Sequence, residues 1–466
     1  MKGTLSRRHL LKASLFVSGG MLAACAPKVI TETVVVEKEV ERIVEVDRAA
    51  ERAAEFTGTL VWDTFRANPP WDQDRLDNFK NLYPNVEVEL RMGVADQQAN
   101  YGRWYAMQAA GDLGDVVQFD PSHFHFWLAA DNNIIIPIDD LIAADDYDIT
   151  QFYDQFFKMS EYQGSIWGLP SWGWSGTDSI VVNELVLEEM GVTDIPDPQD
   201  FETSWEQIEE WIAKAHIASG DRVERYGYQF AGGEAGFTIQ SRFFGGDFIN
   251  PEGTQTIFQD DEEALRGLRW TYDKVVDQRF TPVPGALGEG VSNDVACAEG
   301  RLAMYQGGSL NAINADRAVQ DPNVARIGVI LFPRRPDGRI ASQLRGGAWQ
   351  VSRSSTIPQI AFEFIKHLSS REGIFGFNMY GGNTSLVRPD VMPLLMAQMP
   401  LYRHYLTNLS DGIGINAPAN SRGREFTDAI GQNGAALMDA ISPVPFEEGI
   451  SRLATEVQRV LDEPPA

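Results

Sequence analysis

The sequence predicts an α/β protein built around a mostly parallel sheet. Short strand-like runs alternate with helical segments, and breaks rich in Gly, Pro and Asn separate them. The chain has 466 residues, enough for about two to four domains at roughly 100–200 residues each. Its composition is 43% hydrophobic and 23% charged, which suits a globular protein and excludes a wholly disordered one.

The folded grammar begins at Gly58. Thr59 to Trp62 reads as a strand, and Asp72 to Asn81 suits a helix with Leu76 and Phe79 on one face. Tyr83-Pro84-Asn85 ends that helix, and Val86 to Leu90 alternates as a second strand. Tyr101 to Ala110 is helical, Gly111 to Gly114 turns, and Asp115 to Phe119 makes a third strand. Ligands of such sheets sit at the carboxyl ends of the strands, where the loops Asp63 to Trp71 and Asp120 to His123 fall. Near the other end, Phe426 to Ile441 and Phe446 to Leu461 read as helices.

The residues before Gly58 are of another kind. Residues 1–24 carry Lys2, Arg7, Arg8 and Lys12 and no acid, and an apolar run of small residues follows from Leu10 to Ala24. That run is shorter than the about 20 apolar residues a membrane span needs, so it reads as a signal-peptide core. Ser6-Arg7-Arg8-His9-Leu10-Leu11-Lys12 resembles a twin-arginine export signal, departing from it mildly at His9 and Leu10. Leu22-Ala23-Ala24-Cys25 resembles a bacterial lipobox, which implies acylation of Cys25 and a membrane anchor without a spanning helix. Residues 26–57, rich in Val and Glu, read as a solvated stalk, with a short dimerising coiled coil as the alternative.

Charge and cysteine count exclude several classes. The 39 basic and 66 acidic residues leave a net charge of −27, which repels phosphate backbones, so nucleic acid is not an expected partner. Cys25 and Cys297 are the two cysteines, too few for a disulfide framework or a Cys-based zinc site.

Several segments together carry a family resemblance. In order they include Gly58-Thr-Leu-Val-Trp62, Phe79-Lys-Asn-Leu-Tyr-Pro-Asn-Val-Glu-Val88, Ala109-Ala-Gly-Asp-Leu-Gly-Asp-Val-Val117 and Tyr162-Gln-Gly-Ser-Ile-Trp-Gly-Leu-Pro170. Ala298-Glu-Gly-Arg-Leu-Ala-Met304, Arg345-Gly-Gly-Ala-Trp-Gln-Val351 and Ala361-Phe-Glu-Phe-Ile-Lys-His-Leu368 continue the series. The chain resembles the extracellular solute-binding proteins (family 1) of bacterial ABC importers, a group that includes the maltose-binding proteins. The resemblance covers residues 58–371.

That resemblance implies a two-lobed periplasmic-binding-protein-like fold of type II, hinged on crossing strands. Lobe 1 is expected at 58–175 and 350–384, and lobe 2 at 176–349 and 385–466. The chain would cross near Pro170 to Ile180, return near Trp349 to Ser352, and cross again near Thr384 to Val387. The expected partners are a small solute, most readily a sugar or oligosaccharide, and the transmembrane subunits of an ABC permease. The body would be monomeric and lipid-anchored outside the cytoplasmic membrane, with no cofactor. A polyol or polyamine binder and a secreted carbohydrate-acting hydrolase are the alternatives.

The resemblance also places a ligand rim. The loop after the first strand offers Asp63, Phe65 and Arg66, and the loop after the third offers Phe119 and Asp120. Trp172 and Trp174, in the small-residue stretch Ser171 to Gly176, offer flat faces of the kind sugars cover. Phe244 and Asp247, Gly308 and Ser309, and Trp349 complete the set. Asp63, Asp120 and Asp247 suit turn or capping roles equally well, since Asp is favoured there.

Enzyme signatures are thin. Gly173-Trp-Ser-Gly-Thr177 misses the nucleophile elbow at its last glycine. His123-Phe-His125 has the spacing of a metal pair on one strand face, but no third ligand accompanies it. Cys297 reads as a small buried residue in a helix, and nothing marks a pair of carboxylates for glycoside hydrolysis.

Overall fold

The computed structural model describes residues 55–464 apart from 66–68, 95–96, 121–123, 177, 193–202, 221, 381–384, 415–417 and 419–421. The residues expected to form a signal sequence, Cys25, and those before Glu55 expected to form a stalk lie outside the described residues. Met1–Phe56 and Thr57–Ala466 are separate units, and the elements described fall in Thr57–Ala466.

Two lobes are each built on one five-stranded sheet. The chain makes β1 (Gly58–Thr64), β2 (Val86–Met92) and β3 (Val116–Val117), a small hairpin of β4 (Glu161–Tyr162) and β5 (Ser165–Ile166), then β6 (Leu169–Trp174). It passes to β7 (Ser179–Asn183), β8 (Ile217–Ser219), β9 (Arg222–Gln229), β10 (Leu302–Gly307) and β11 (Ile327–Leu331). It then returns as β12 (Arg345–Val351). The first sheet has the order β2-β1-β3-β12-β6 and the second β11-β7-β10-β9-β8.

The sheets are mixed rather than mostly parallel. β1 is parallel to β2 and β3, and β10 to β9, as the alternation of strands and helices predicts. β12 runs antiparallel to β3 and β6, and β7 antiparallel to β10 and β11. The reason is topological. A strand that arrives directly from the other lobe lacks the crossover helix that would bring it in parallel.

Three passages join the lobes. Ser175 to Asp178 links β6 to β7, and residues 332–344 link β11 to β12. β12 joins the first sheet from Arg345, earlier than the Trp349 to Ser352 expected. Ser385 to Val387 still lies on the first lobe, where Leu386 N–H donates to Gly173 O at 2.7 Å and Ser385 bridges Gly173. By Gly412, which bridges Ile340 in the second passage, the chain has left it.

Each lobe has its own core. In the first, β1 carries the fully buried Trp62 against Trp349 and Phe364, with the Arg75 guanidinium 5.7 Å from both indoles. Burial of each such ring stabilises by about 1.5–3 kcal/mol. In the second, the helix Phe446–Asp462 buries Phe446, Ile450, Leu453, Val457 and Val460, an i, i+3/i+4 stripe. That stripe packs with Phe237, Phe426, Ile430 and Leu437. Both C-terminal helices predicted from periodicity are present, as Gly423–Leu437 and Phe446–Asp462. The third strand is shorter than predicted, two residues rather than five, because the Phe119 backbone pairs with a side chain instead.

Candidate functional site

The site is built on the ribbon where β6 and β12 pair. Trp174 stands opposite Arg345, and Trp172 opposite Gly347, with a bulge between Gly347 and Ala348. Residues directly opposite in an antiparallel pair share a face. Trp172, Trp174 and Arg345 therefore lie on one face, and all three are partly exposed. The backbone at Gly173, on the other face, is covered by Phe156 and Val387. The two tryptophans sit in a strand, not in the loop that the small residues around them suggested.

Asp120 closes one end of this face. Its Oδ1 accepts a hydrogen bond from Trp172 Nε1 at 3.3 Å, and its N–H donates to the Tyr101 hydroxyl at 3.4 Å. The loop that carries it is pinned by Gln350. The Gln350 Oε1 accepts from Phe119 N–H at 2.7 Å, and its Nε2 donates to Phe119 O at 2.7 Å. Gln350 thus extends the short β3 by a side-chain mimic of strand pairing.

The other end is a ring of three polar side chains from two lobes and a passage. Glu234 opens the second-lobe helix Gly233–Arg242, Gln343 ends the second passage, and Arg345 begins β12. Arg345 Nη2 donates to Glu234 Oε2 at 2.5 Å and to Gln343 Oε1 at 3.1 Å, and its Nε donates to Gln343 Oε1 at 3.3 Å. Gln343 Nε2 donates to Glu234 Oε1 at 2.6 Å, which also takes the Thr238 hydroxyl at 3.4 Å. The Arg345 side chain is 25% exposed and that of Glu234 11%.

Beneath the ribbon the first passage is tightly packed. A Cβ on Gly308 would stand 1.4 Å from Gly176 O, and Ser309 N–H donates to Ser175 O at 3.1 Å. Only glycine tolerates that approach. Asp178 is fully buried here, its carboxylate accepting the Ser175 hydroxyl at 2.6 Å. Asn408 donates to Ser175 Oγ and to Asp178 O. Burial pushes the Asp178 carboxyl up to about 7, against the pull of these hydrogen bonds.

The residues expected at the rim divide. Asp120, Trp172 and Trp174 come together on the ribbon face, and Gly308 and Ser309 lie at the first passage. Asp63 is buried and ties β1 to the turn before β3, accepting from Gly114 N–H at 2.8 Å and Arg103 at 3.2 Å. Burial raises its carboxyl despite those donors. Phe65 packs on Tyr101 and Trp104, and Phe119 stacks on Tyr101. Phe244 lies beneath the Arg266 guanidinium, 4.0 Å from ring to cation, and beside Trp205. Asp247 accepts from Arg242 Nε at 2.9 Å and caps Phe248 N–H. Trp349 is buried against Trp62, and Arg66 lies outside the described residues.

Arg345, Gln343 and Glu234 were missed. Arg345 stands in a segment that the resemblance quotes, and Glu234 follows the glycine run Ala231-Gly-Gly at a helix start. Their meeting over 111 residues of separation leaves no local sequence mark.

The Ser175 hydroxyl is buried and donates to Asp178. His125 belongs to the helix Phe124–Asp131, not to a strand, and its Nδ1 lies 2.9 Å from the Tyr105 hydroxyl; His123 is outside the described residues. Among the described residues no cluster of three His, Cys, Asp or Glu could hold a metal, and no helix is long and apolar enough to cross a membrane. Burial raises the Cys297 thiol.

Residues 74–383 match the family model described as bacterial extracellular solute-binding protein. The chain belongs to this family. Solved structures agree on the fold of this solute-binding protein. The sugar-binding protein MalE from Xanthomonas citri superposes with a TM-score of 0.71 at 16% identity, covering 87% of this chain and 97% of that one. An ABC substrate-binding protein from Listeria monocytogenes in complex with cycloalternan gives 0.69 at 15%, covering 87% and 99%. UgpB from Mycobacterium tuberculosis in complex with glycerophosphocholine gives 0.68 at 16%, covering 87% and 99%. The Trp172–Trp174 face of the solute-binding protein lies on β6, next to the first passage between its two lobes.

Proposed function

We propose that this protein is the lipid-anchored, extracytoplasmic receptor of an ABC importer that captures a sugar or short oligosaccharide between its lobes. The observation that carries the reading is the ribbon face. Two partly exposed indoles stand in one strand, flanked by a carboxylate at Asp120 and a guanidinium at Arg345, which Glu234 pairs from the other lobe. A pyranose offers a C–H patch to an indole and a rim of hydroxyls to such polar groups. The named complexes of similar structures, with cycloalternan, maltose and mannobiose, support a carbohydrate. Capture is reversible, differential contact in the closed state shifts the lobes together, and the closed form docks on the permease. Asp120, Trp172, Trp174 and Arg345 are the proposed contact residues, and Cys25 the site of acylation.

Calorimetric titration of the purified protein with maltose, mannobiose and tagatose tests the capture. Saturable binding without new products is expected. Absence of binding across a wide sugar panel overturns the reading, and release of shorter sugars in the same cell supports a hydrolase instead. Cys25→Ser should free the protein from the membrane fraction.

A further inference from the structure

The Glu234–Gln343–Arg345 ring has a consequence for which solutes the cleft accepts. Each of its bonds uses up a charge or a donor. Both Glu234 oxygens are occupied, one by Arg345 and one by Gln343 and Thr238. Arg345 spends Nε and Nη2 on Gln343 and Glu234, while its Nη1, in a side chain 25% exposed, makes no hydrogen bond to a described residue. The guanidinium therefore enters the ribbon face beside Trp174 with its charge already balanced and one NH₂ group free. A guanidinium whose charge is not balanced is a strong phosphate and carboxylate receptor. Paired with Glu234, the guanidinium stays charged, but the pair as a whole presents little net charge to a solute.

We propose that Glu234 is a specificity-determining residue, which by neutralising Arg345 across the lobes makes the cleft reject anionic solutes while Arg345 Nη1 donates to uncharged hydroxyls. This rests on the sugar-capture reading and deepens it. Glu234 acts through Arg345 rather than by touching the solute, and Gln343, fully buried, fixes the angle between the two. The pair joins the second-lobe helix to the first sheet.

The test compares Glu234→Gln with the unaltered protein. Glutamine keeps the size and one acceptor but removes the charge. Binding of inorganic phosphate and of glycerol 3-phosphate is followed by thermal shift and calorimetry, with maltose, mannobiose and tagatose titrated in parallel. In Glu234→Gln, affinity for the two anions should rise at least tenfold and weaken again as salt is added, with affinity for the sugars changing less. Glu448→Gln, an exposed helix residue, makes the same change in net charge and should not alter anion binding. Arg345→Gln in the Glu234→Gln background should abolish the gained anion binding, since the receptor is then gone. If Glu234→Gln binds anions no better than the unaltered protein, or if the gain survives loss of Arg345, the proposal is overturned. The anion arm decides this even if no sugar in the panel binds, an outcome that would instead sink the sugar reading.

Discussion

Gly347 and Trp172 stand opposite one another on the crossing ribbon, and the indole occupies the space that a side chain at 347 would need. A Cβ there would lie 2.1 Å from Trp172 Nε1 and 2.6 Å from Asp120 Oδ1. The close approach sets the orientation of the ring and its bond to Asp120. Gly347→Ala should therefore push Trp172 off Asp120, at an overpacking cost of about 1–3 kcal/mol. Urea denaturation measures the cost, and sugar titration should show at least tenfold weaker binding. Unchanged affinity would separate Trp172 from the ligand site.

Trp174 makes the complementary case. It is partly exposed on the same face, so Trp174→Ala removes a proposed ligand surface with less loss of core packing than a buried tryptophan would give. Sugar affinity should fall by at least tenfold, about 1.4 kcal/mol, with a melting temperature close to that of the parent. Trp174→Phe should recover part of the loss. The opposite pattern, a large drop in melting temperature with intact binding, would assign Trp174 to the core.

Asp178 predicts a pH dependence with a definite sign. Burial lifts its carboxyl from 3.8 to about 7, so the folded protein holds a proton there that the unfolded chain gives up near pH 4. The group's stabilisation is complete below pH 4 and is lost as pH rises through 7, an effect on the order of a few kcal/mol. Tyr405, which shares the Ser179 hydroxyl, stays neutral across that range because burial raises its phenol as well. In Asp178→Asn the fall in stability between pH 5 and 8 should flatten, read from urea midpoints at each pH. A slope identical to the parent would remove Asp178 as its source.

Arg242 is a buried charge tied to three separate partners. Its guanidinium is fully buried, and donates to Asp247, to Ser342 O at 3.0 Å and to Gly414 O at 3.0 Å, so it holds the second-lobe helix to the second passage. Arg242→Met leaves those carbonyls unpaired, and a loss of about 3–5 kcal/mol is expected. The lower figure applies if Asp247, whose side chain is 26% exposed, hydrates in place of the lost partner. Chemical denaturation checks it; a loss under 1 kcal/mol would mean that the carbonyls find other donors.

Local signals were legible where a few consecutive residues decide the outcome. The alternation in Val86 to Leu90 and the stripe from Phe446 onward were readable because each element's burial is written in its own spacing. Trp172 and Trp174 stand out in the sequence as two indoles in one short stretch, yet their small neighbours suggest a loop, since nothing nearby announces that β12 arrives to pair with them. Asp63 shows the converse difficulty. A carboxylate that holds a turn and one that holds a ligand look alike in sequence, and only the Gly114 amide and Arg103 reveal its partners. The ring at Arg345 is illegible because Glu234 comes from a stretch far from Gln343 and Arg345, 111 residues before the latter.

The strand order of the first sheet bears on how the protein is made. β6 attaches to β1, β2 and β3 only through β12, and all five strands of the second sheet lie between β6 and β12 in the chain. As the polypeptide emerges from the ribosome, β3 and β6 remain unjoined edges until residue 351 has been added. The sheet begun first is finished last. A nascent chain stopped before Arg345 should expose those edges, and a translocation route or chaperone that handles it meets a molecule whose later sheet can form before its earlier one.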